Sequence, residues 1–512
     1  MFFRVLPVGE KPAFSGSAGA CLLMDDWNDW FTYQTLFSLV VFDASGQRRD
    51  IGSVKIGAFG MTKEQPRPNL PMRFDTLSTR FFSVGQDDSY YEVLNELEPE
   101  LRDRVLNGLR DLAVADEEFL NRALQEHVTD TSLLRSVSEM TVRRQFRRIA
   151  RGDARLTKYS IVYQMVGTHE QAEPPLRIQF DVEPESHPPT NIHVLIGRNG
   201  VGKTHLMNSM TKALVIPNPE PESGAFITID DPFGQGEKFA GLVAVSFSAF
   251  DTSEPLAAMS PPTTGFRYTY VGLQKTAPEK GPRTPSELTL EIVKSVYNFH
   301  KDARLLRWRR ALKMLESDPM FADAEIASIP VEGKAAQWTE RSFPVFHRLS
   351  SGHKIVLLTI TKLVETVEER TLVLMDEPEA HLHPPLLSAF VRALSDLLVQ
   401  RNGVAIIATH SPVVLQEVPR RCVWKLYRAQ ADMSAERPER ETFGENVGVL
   451  TSEVFGLEVT QAGFHNMLAE SVNKSRSYEA VLGKFNMELG TEARAIVRAL
   501  VAEEQNGERI NE

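Results

Sequence analysis

Two segments of this chain carry residue types that fit phosphate and metal chemistry. Gly197-Arg-Asn-Gly-Val-Gly202-Lys203-Thr204 has the G-x-x-x-x-G-K-[ST] spacing, preceded by the apolar run His193-Val-Leu-Ile196 and followed by helix-like spacing. In such a strand–loop–helix, glycines let backbone N–H groups turn inwards around phosphate oxygens at a helix N-terminus. Lys203 then adds positive charge at the β- and γ-phosphates, and the Thr204 hydroxyl is a ligand type for Mg²⁺. The sequence therefore predicts ATP and Mg²⁺ as ligands, with Asn199, Gly200, Gly202, Lys203, Thr204 and His205 as the nucleotide-binding set. Thr371-Leu-Val-Leu-Met-Asp376-Glu377 is an apolar strand ending in two carboxylates, which puts Asp376 at the carboxyl edge of a sheet, where open α/β folds bind ligands. Asp376, with Thr204, is the candidate for holding the metal. Glu377 is placed to take a proton from an attacking water. The alternative for this pair is a cap at a strand-to-helix turn.

Two more segments fall in order around these. Leu349-Ser350-Ser351-Gly352-His353 precedes the helix-like Lys354–Val364 stretch, about 26 residues before Asp376, and its small residues at a helix N-terminus suit a γ-phosphate. Ile406-Ile-Ala-Thr-His410-Ser-Pro412 ends another apolar strand with a histidine, about 34 residues after Asp376. Alone, a Leu-Ser-Ser-Gly loop or a single histidine is ordinary. Four motifs in this order and spacing are not.

With these segments, and with Asp376-Glu-Pro-Glu-Ala-His-Leu-His-Pro384 marking the second motif, residues from about 155 to 420 resemble an ABC-type P-loop ATPase domain of the AAA_21 or OLD-like (overcoming lysogenization defect) group. Transport ATPases usually continue from the catalytic glutamate with an S-A-L-D-like segment instead. The resemblance implies a head-to-tail dimer in which Ser350, Ser351 and Gly352 of one protomer reach the ATP bound by Lys203 of the other, with His410 touching the γ-phosphate. The chain departs from the cassette pattern where Ser351 replaces the first signature glycine and His353 the glutamine. The strand Leu242–Phe247 ends in Ser248-Ala-Phe-Asp251 without the expected glutamine, and Gln274 lies too far along to fill that role.

OLD-type nucleases add a Toprim domain, which needs a glutamate and a D-x-D pair for two-metal cleavage. About a hundred residues of this sequence follow His410, without D-x-D, and Val331-Glu332-Gly333-Lys334 reads as a turn inside the ATPase. What remains resembles the stand-alone ATPase subunits of bacterial anti-phage systems, Septu-type and related, in which a separate nuclease or toxin acts. The expected function is thus a sensor or scaffold ATPase of a defence system. A DNA-stimulated repair ATPase and a nucleotide-gated scaffold with little turnover are the alternatives.

The elements that must position these residues read as an α/β fold with an N-terminal α+β accessory domain at 1–154 and an ATPase domain at 155–425. A helical insertion is expected at about 283–320, and a mostly helical segment at 426–512. Phe31–Asp43 and Ile51–Phe59 read as strands, and Asp88 to about Gln145 has helical spacing. Tyr159–Met165, Leu176–Val182 and Asn191–Ile196 are further candidate strands, and Leu288–Leu315 is a helical run.

With 512 residues the chain exceeds one ordinary core, and 42% hydrophobic and 24% charged residues are those of a folded globular protein. A net charge of −11 confines nucleic-acid binding to local basic patches. Arg143, Arg144, Arg147, Arg148 and Arg151 would line one face of a helix, which suits either DNA phosphates or pairing with the chain's own carboxylates. Arg304, Arg307, Arg309 and Arg310 form a second cluster around Trp308. Two distant cysteines, Cys21 and Cys422, and the lack of an apolar run of about 18 residues point to a cytoplasmic protein without membrane contact.

Overall fold

The computed structural model describes residues 2–26, 32–152, 158–165, 176–228, 239–247, 255–258, 266–276, 281–299, 303–429, 432–455, 463–475 and 477–510. It shows an α/β architecture with an added N-terminal α+β unit, as expected.

The N-terminal unit is a six-stranded sheet in the order β5-β1-β2-β3-β4-β6, formed by Phe2–Leu6 (β1), Gly19–Met24 (β2), Leu36–Phe42 (β3), Arg48–Ala58 (β4), Arg73–Phe74 (β5) and Phe81–Gly85 (β6). β1 and β2 run parallel and the other pairs antiparallel. The helices Asp88–Asn95, Pro99–Gly108 and Glu117–Leu124 cover one face, burying Phe3, Phe82, Tyr91, Leu109 and Phe146 in a core of their own. The expected strands appear as β3 and β4; Phe31 lies outside the described residues. The sequence reading did not include β1 and β2.

A three-stranded antiparallel sheet follows, in the order β10-β7-β8, from Tyr159–Met165 (β7), Leu176–Val182 (β8) and Ala225–Thr228 (β10). Beside it lies a seven-stranded sheet in the order β12-β11-β13-β14-β9-β15-β16. Its strands are Ile192–Ile196 (β9), Gly241–Ser246 (β11), Arg267–Gly272 (β12), Thr371–Asp376 (β13), Val404–Thr409 (β14), Val423–Ala429 (β15) and Asp432–Glu436 (β16). All neighbours are parallel except the β15–β16 hairpin. Every residue of β9, β13 and β14 is buried. That is why these strands read as unbroken apolar runs: helices cover both faces of a parallel sheet. The ends of the three strands are fixed together, since Asp376 pairs in register with Ala408, and Ile196 with Thr409.

Two boundaries differ from the sequence reading. β15 pairs with β9 and β16 with β15, so the seven-stranded sheet runs to Glu436 rather than ending at 425. The helical region is larger than 283–320. It comprises Pro285–Asn298, Ala303–Leu315, Pro319–Ala324 and Ala335–Arg348, followed by the Ser351–Thr366 helix. Pro344 inside the fourth of these and Asp318-Pro319 ahead of the third obscured the helical period. Val331–Lys334 is a non-helical turn, with Gly333 at φ +82°. Among the described residues beyond Ser452, the helices are the end of Val447–Phe455, Phe464–Ser475, Tyr478–Lys484 and Thr491–Ile510.

Candidate functional site

The glycine loop leaves β9 at Ile196 and enters the Lys203–Val215 helix. Gly200 and Gly202 have φ +80° and +105°, a left-handed backbone that favours glycine and turns successive N–H groups to one side. Lys203 is 4% exposed, and its Nζ donates to the Gly197 and Arg198 carbonyls at 3.1 and 3.2 Å. Its buried charge thus sits inside the loop. Asn199, Gly200 and His205 are exposed around it, and Thr204 is half-buried on the first helical turn.

Across the sheet edge, Asp376 ends β13 and is 7% exposed. Glu377 follows with φ +45°, a conformation costing a non-glycine residue about 1–3 kcal/mol. It is held there by its N–H donating to the Ala408 carbonyl at 2.8 Å. The strained turn brings Glu377 Oε1 to 3.7 Å from Lys203 Nζ and 3.6 Å from His410 Nδ1. Two further sequence-predicted residues, one after the loop that leaves β9 and one after β14, therefore each lie within 4 Å of Glu377.

The sequence reading gave no role to Glu379. Its Oε1 accepts from the His410 backbone N–H at 2.8 Å and from the Thr409 hydroxyl, and lies 3.2 Å from His410 Nδ1. It fixes where the histidine points. The signal was present in the second carboxylate of Asp376-Glu-Pro-Glu379, but nothing local says which strand that carboxylate faces.

The Ser350–His353 segment packs against the chain just after Glu377. Among the described residues, no hydrogen bond or ion pair joins Ser350, Ser351 or Gly352 to Lys203. Ser350 and Ser351 are exposed at the start of the Ser351–Thr366 helix, and the Ser350 side chain caps it by accepting from His353 N–H at 3.4 Å. Gly352 is buried: a Cβ there would meet the His381 carbonyl oxygen at 2.3 Å. Its role visible within the protomer is close packing against the segment after Glu377. His353 is buried as well and turns inward, so it does not occupy the outward position of a signature glutamine. At the expected glutamine loop, Ser248–Asp251 lie outside the described residues. Gln274 pairs with Pro282 beyond β12. The Phe247 carbonyl, at the end of β11, accepts from His381 Nε2 at 3.2 Å.

The arginines of 143–148 form ion pairs within the chain. This segment is not a regular α-helix: Val142–Phe146 is a π turn, so the assumed one-face spacing does not hold. Arg143 reaches Glu117 and Glu139, Arg147 reaches Glu117, and Arg148 reaches Glu369. Arg144 borders a small cavity with Arg148, Glu369 and Arg370. In the second cluster, Arg307 pairs with Asp87, Arg310 with Asp396, and Arg304 donates to Ser136. Trp308 is fully buried, with Nε1 donating to Thr361. Arg143, Arg147 and Arg148 of the first cluster and Arg307 and Arg310 of the second are thus paired with carboxylates of the same chain.

The site fits a magnesium–nucleotide pair on its own geometry: a nest of left-handed glycines, a buried lysine inside it, and a carboxylate at the end of β13, two strands from β9. Thr204 and Asp376 are the residues to hold the metal, which would polarise the terminal phosphate. Among the described residues, no helix is long and apolar enough to cross a membrane.

Comparison with known proteins adds the following. The sequence model of the AAA_21 family (AAA domain, putative AbiEii toxin, type IV TA system) matches residues 335–416, from the helix before Ser350 to just past His410. Protein ea59 of Escherichia phage lambda is 41% identical over 512 residues, spanning 95% of this chain and 96% of its own. Among solved structures, the ADP conformation of MJ1267, an ATP-binding cassette of an ABC transporter, is 14% identical, with TM-score 0.32, over 60% of this chain and all of that one. The cbiO1 protein from Clostridium perfringens, part of the ABC transporter complex cbiONQ, is 14% identical, with TM-score 0.28, over 64% of this chain and all of its own.

Proposed function

We propose that this chain, which belongs to the family of protein ea59 of Escherichia phage lambda, binds and hydrolyses Mg-ATP at a site completed by a second copy of itself. The observation that carries the reading is the convergence of Lys203, Glu377 and His410 within 4 Å at the ends of three adjacent parallel strands. Lys203 and the loop N–H groups bind the triphosphate. Glu377, held in a strained turn and partly exposed, takes the proton of the attacking water. His410, oriented by Glu379, faces the same point and suits the γ-phosphate.

The exposure of Ser350 and Ser351 at a helix N-terminus, apart from Lys203 of their own chain, supports their use on a partner's nucleotide. ATP-driven closing and hydrolysis-driven opening are then the output. In our reading a separate nuclease or toxin subunit uses that output in a conflict between phages and bacteria. The phage origin of the relative and the AAA_21 description support this role. DNA binding through Arg143, Arg144, Arg147 and Arg148 is not part of the proposal, because three of the four are in internal ion pairs.

The test is the Glu377→Gln chain. It is expected to keep ATP binding, lose at least about a hundredfold in turnover, and accumulate as an ATP-dependent dimer seen by native mass. Near-normal turnover would remove Glu377 from its assigned role. A monomer at saturating ATP would remove the shared site.

A further inference from the structure

Behind the exposed Ser350 stands a chain of hydrogen bonds that ATP hydrolysis at the P-loop does not use. Ser350 Oγ is 2.6 Å from His353 Nδ1, and His353 Nε2 is 2.9 Å from Asp318 Oδ1. Asp318 comes from the helical region, where it caps the Pro319–Ala324 helix by accepting from Met320 N–H at 2.9 Å and Phe321 N–H at 3.4 Å. Its other oxygen lies 3.2 Å from Nε2 of His383, the residue that starts the Pro384–Val399 helix. Asp318 and His383 are the titratable groups shown facing the His353 imidazole, with the Phe321 ring at 5.2 Å.

The polarity of this chain follows from its members. Burial opposes ionisation of Asp318, but the hydrogen bonds from His353, Met320 and Phe321 outweigh it and hold the carboxyl below the usual aspartate range. An ionised carboxylate only accepts, so His353 Nε2 carries a hydrogen. In a neutral imidazole, Nδ1 is then the acceptor, and the Ser350 hydroxyl must donate to it. Ser350 then shows outward only oxygen lone pairs, which repel a phosphate oxygen. With a proton on Nδ1 as well, the ring donates to Ser350 Oγ. The hydroxyl hydrogen becomes free to donate outward, with a positive charge directly behind it.

We propose that Asp318 and His353 are positioning residues for Ser350, and that the Ser350 hydroxyl donates to the γ-phosphate of a partner's ATP together with uptake of one proton from solvent onto His353 Nδ1. This rests on the shared-site reading above. Asp318 stabilises the resulting imidazolium, and no bond to phosphorus forms or breaks in the step.

The experiment uses the full-length Glu377→Gln chain, in which hydrolysis is blocked. Its ATP-driven dimerisation is measured by sedimentation from about pH 6 to about pH 8.5, the span over which histidine charge matters. Calorimetry in two buffers of different ionisation enthalpy counts the protons taken up. The expected result is a dimer that tightens as pH falls, by up to about tenfold per pH unit for each proton taken up. That slope and that uptake should vanish in His353→Gln and in Ser350→Ala, with pairing weaker in Ser350→Ala. Ser350 is exposed, so Ser350→Ala remains folded and decides the matter even if His353→Gln is destabilised. Dimers whose pH slope and proton uptake are unchanged by Ser350→Ala would overturn the proposal while leaving the shared site standing. No ATP-dependent dimer at any pH would overturn both.

Discussion

The two edges of the seven-stranded sheet are both lined with charges, and they are arranged in opposite ways. At the carboxyl edge, Glu377 and His410 are partly exposed and lie 3–4 Å from each other and from the buried Lys203 and Glu379 respectively, in a strained cluster. At the amino edge, the same strands start beside charges that are buried and matched. Arg401, just ahead of β14, holds Asp87 and Asp88 of the N-terminal unit at 2.8 and 2.9 Å. Glu368 and Glu369, just ahead of β13, accept from Ser138, Thr141, Arg267 and Arg148. Burial works against ionisation of Asp87, but Arg401 and nearby donors keep its carboxyl low. Charge near a strand end is therefore no guide to chemistry by itself. What separates the edges is whether the charges retain spare capacity facing solvent.

The largest effect that separates the two edges is structural. Arg401→Ala leaves Asp87 and Asp88 buried with Arg307 still paired to them, at 2.5 and 3.7 Å, and is expected to lower stability by about 3–5 kcal/mol in denaturant unfolding of the full chain. A loss under about 1 kcal/mol would mean that the amino edge is no clamp. At the other edge, Glu379→Gln removes a charge that orients His410. Turnover should fall by between about ten- and a hundredfold with little change in melting temperature, because misplacing a catalytic group costs rate rather than fold. Stability loss without rate loss would reverse the assignment of the two edges. The smallest effect is expected at Arg310, whose pair with Asp396 is 62% exposed on the arginine side. Arg310→Ala should cost under about 1 kcal/mol and leave turnover unchanged. A clear rate effect there would bring the second arginine cluster back as a functional surface.

How much of this was legible in the sequence follows the same division. The glycine loop, Asp376, Glu377 and His410 were readable because each ends an apolar run, and a buried parallel strand is a local pattern. β13 and β14 emerged from their runs for the same reason, and β7 and β8, which are antiparallel, from their aromatic and β-branched residues. Glu379, the Asp318–His353 pair and the buried packing of Gly352 were not readable. Their meaning depends on partners 30 to 35 residues away, or on a neighbouring loop, and no periodicity encodes that. The arginines of 143–148 were readable as charge, but not as a clamp. A π turn alters their spacing, and their partners Glu117 and Glu369 come from separate elements. The 425 boundary was misplaced because β15 and β16 form an edge hairpin, with part of each strand facing solvent.

The most direct test of a nucleotide site shared by two protomers is ATP hydrolysis by Lys203→Ala, by Ser350→Arg, and by an equal mixture of the two. Each variant alone should be inactive. The mixture should recover about a quarter of wild-type turnover, since about half the dimers are mixed and each of those keeps one intact site. A mixture no more active than its components, or a Ser350→Arg chain that hydrolyses ATP normally by itself, would show that the site works within one protomer.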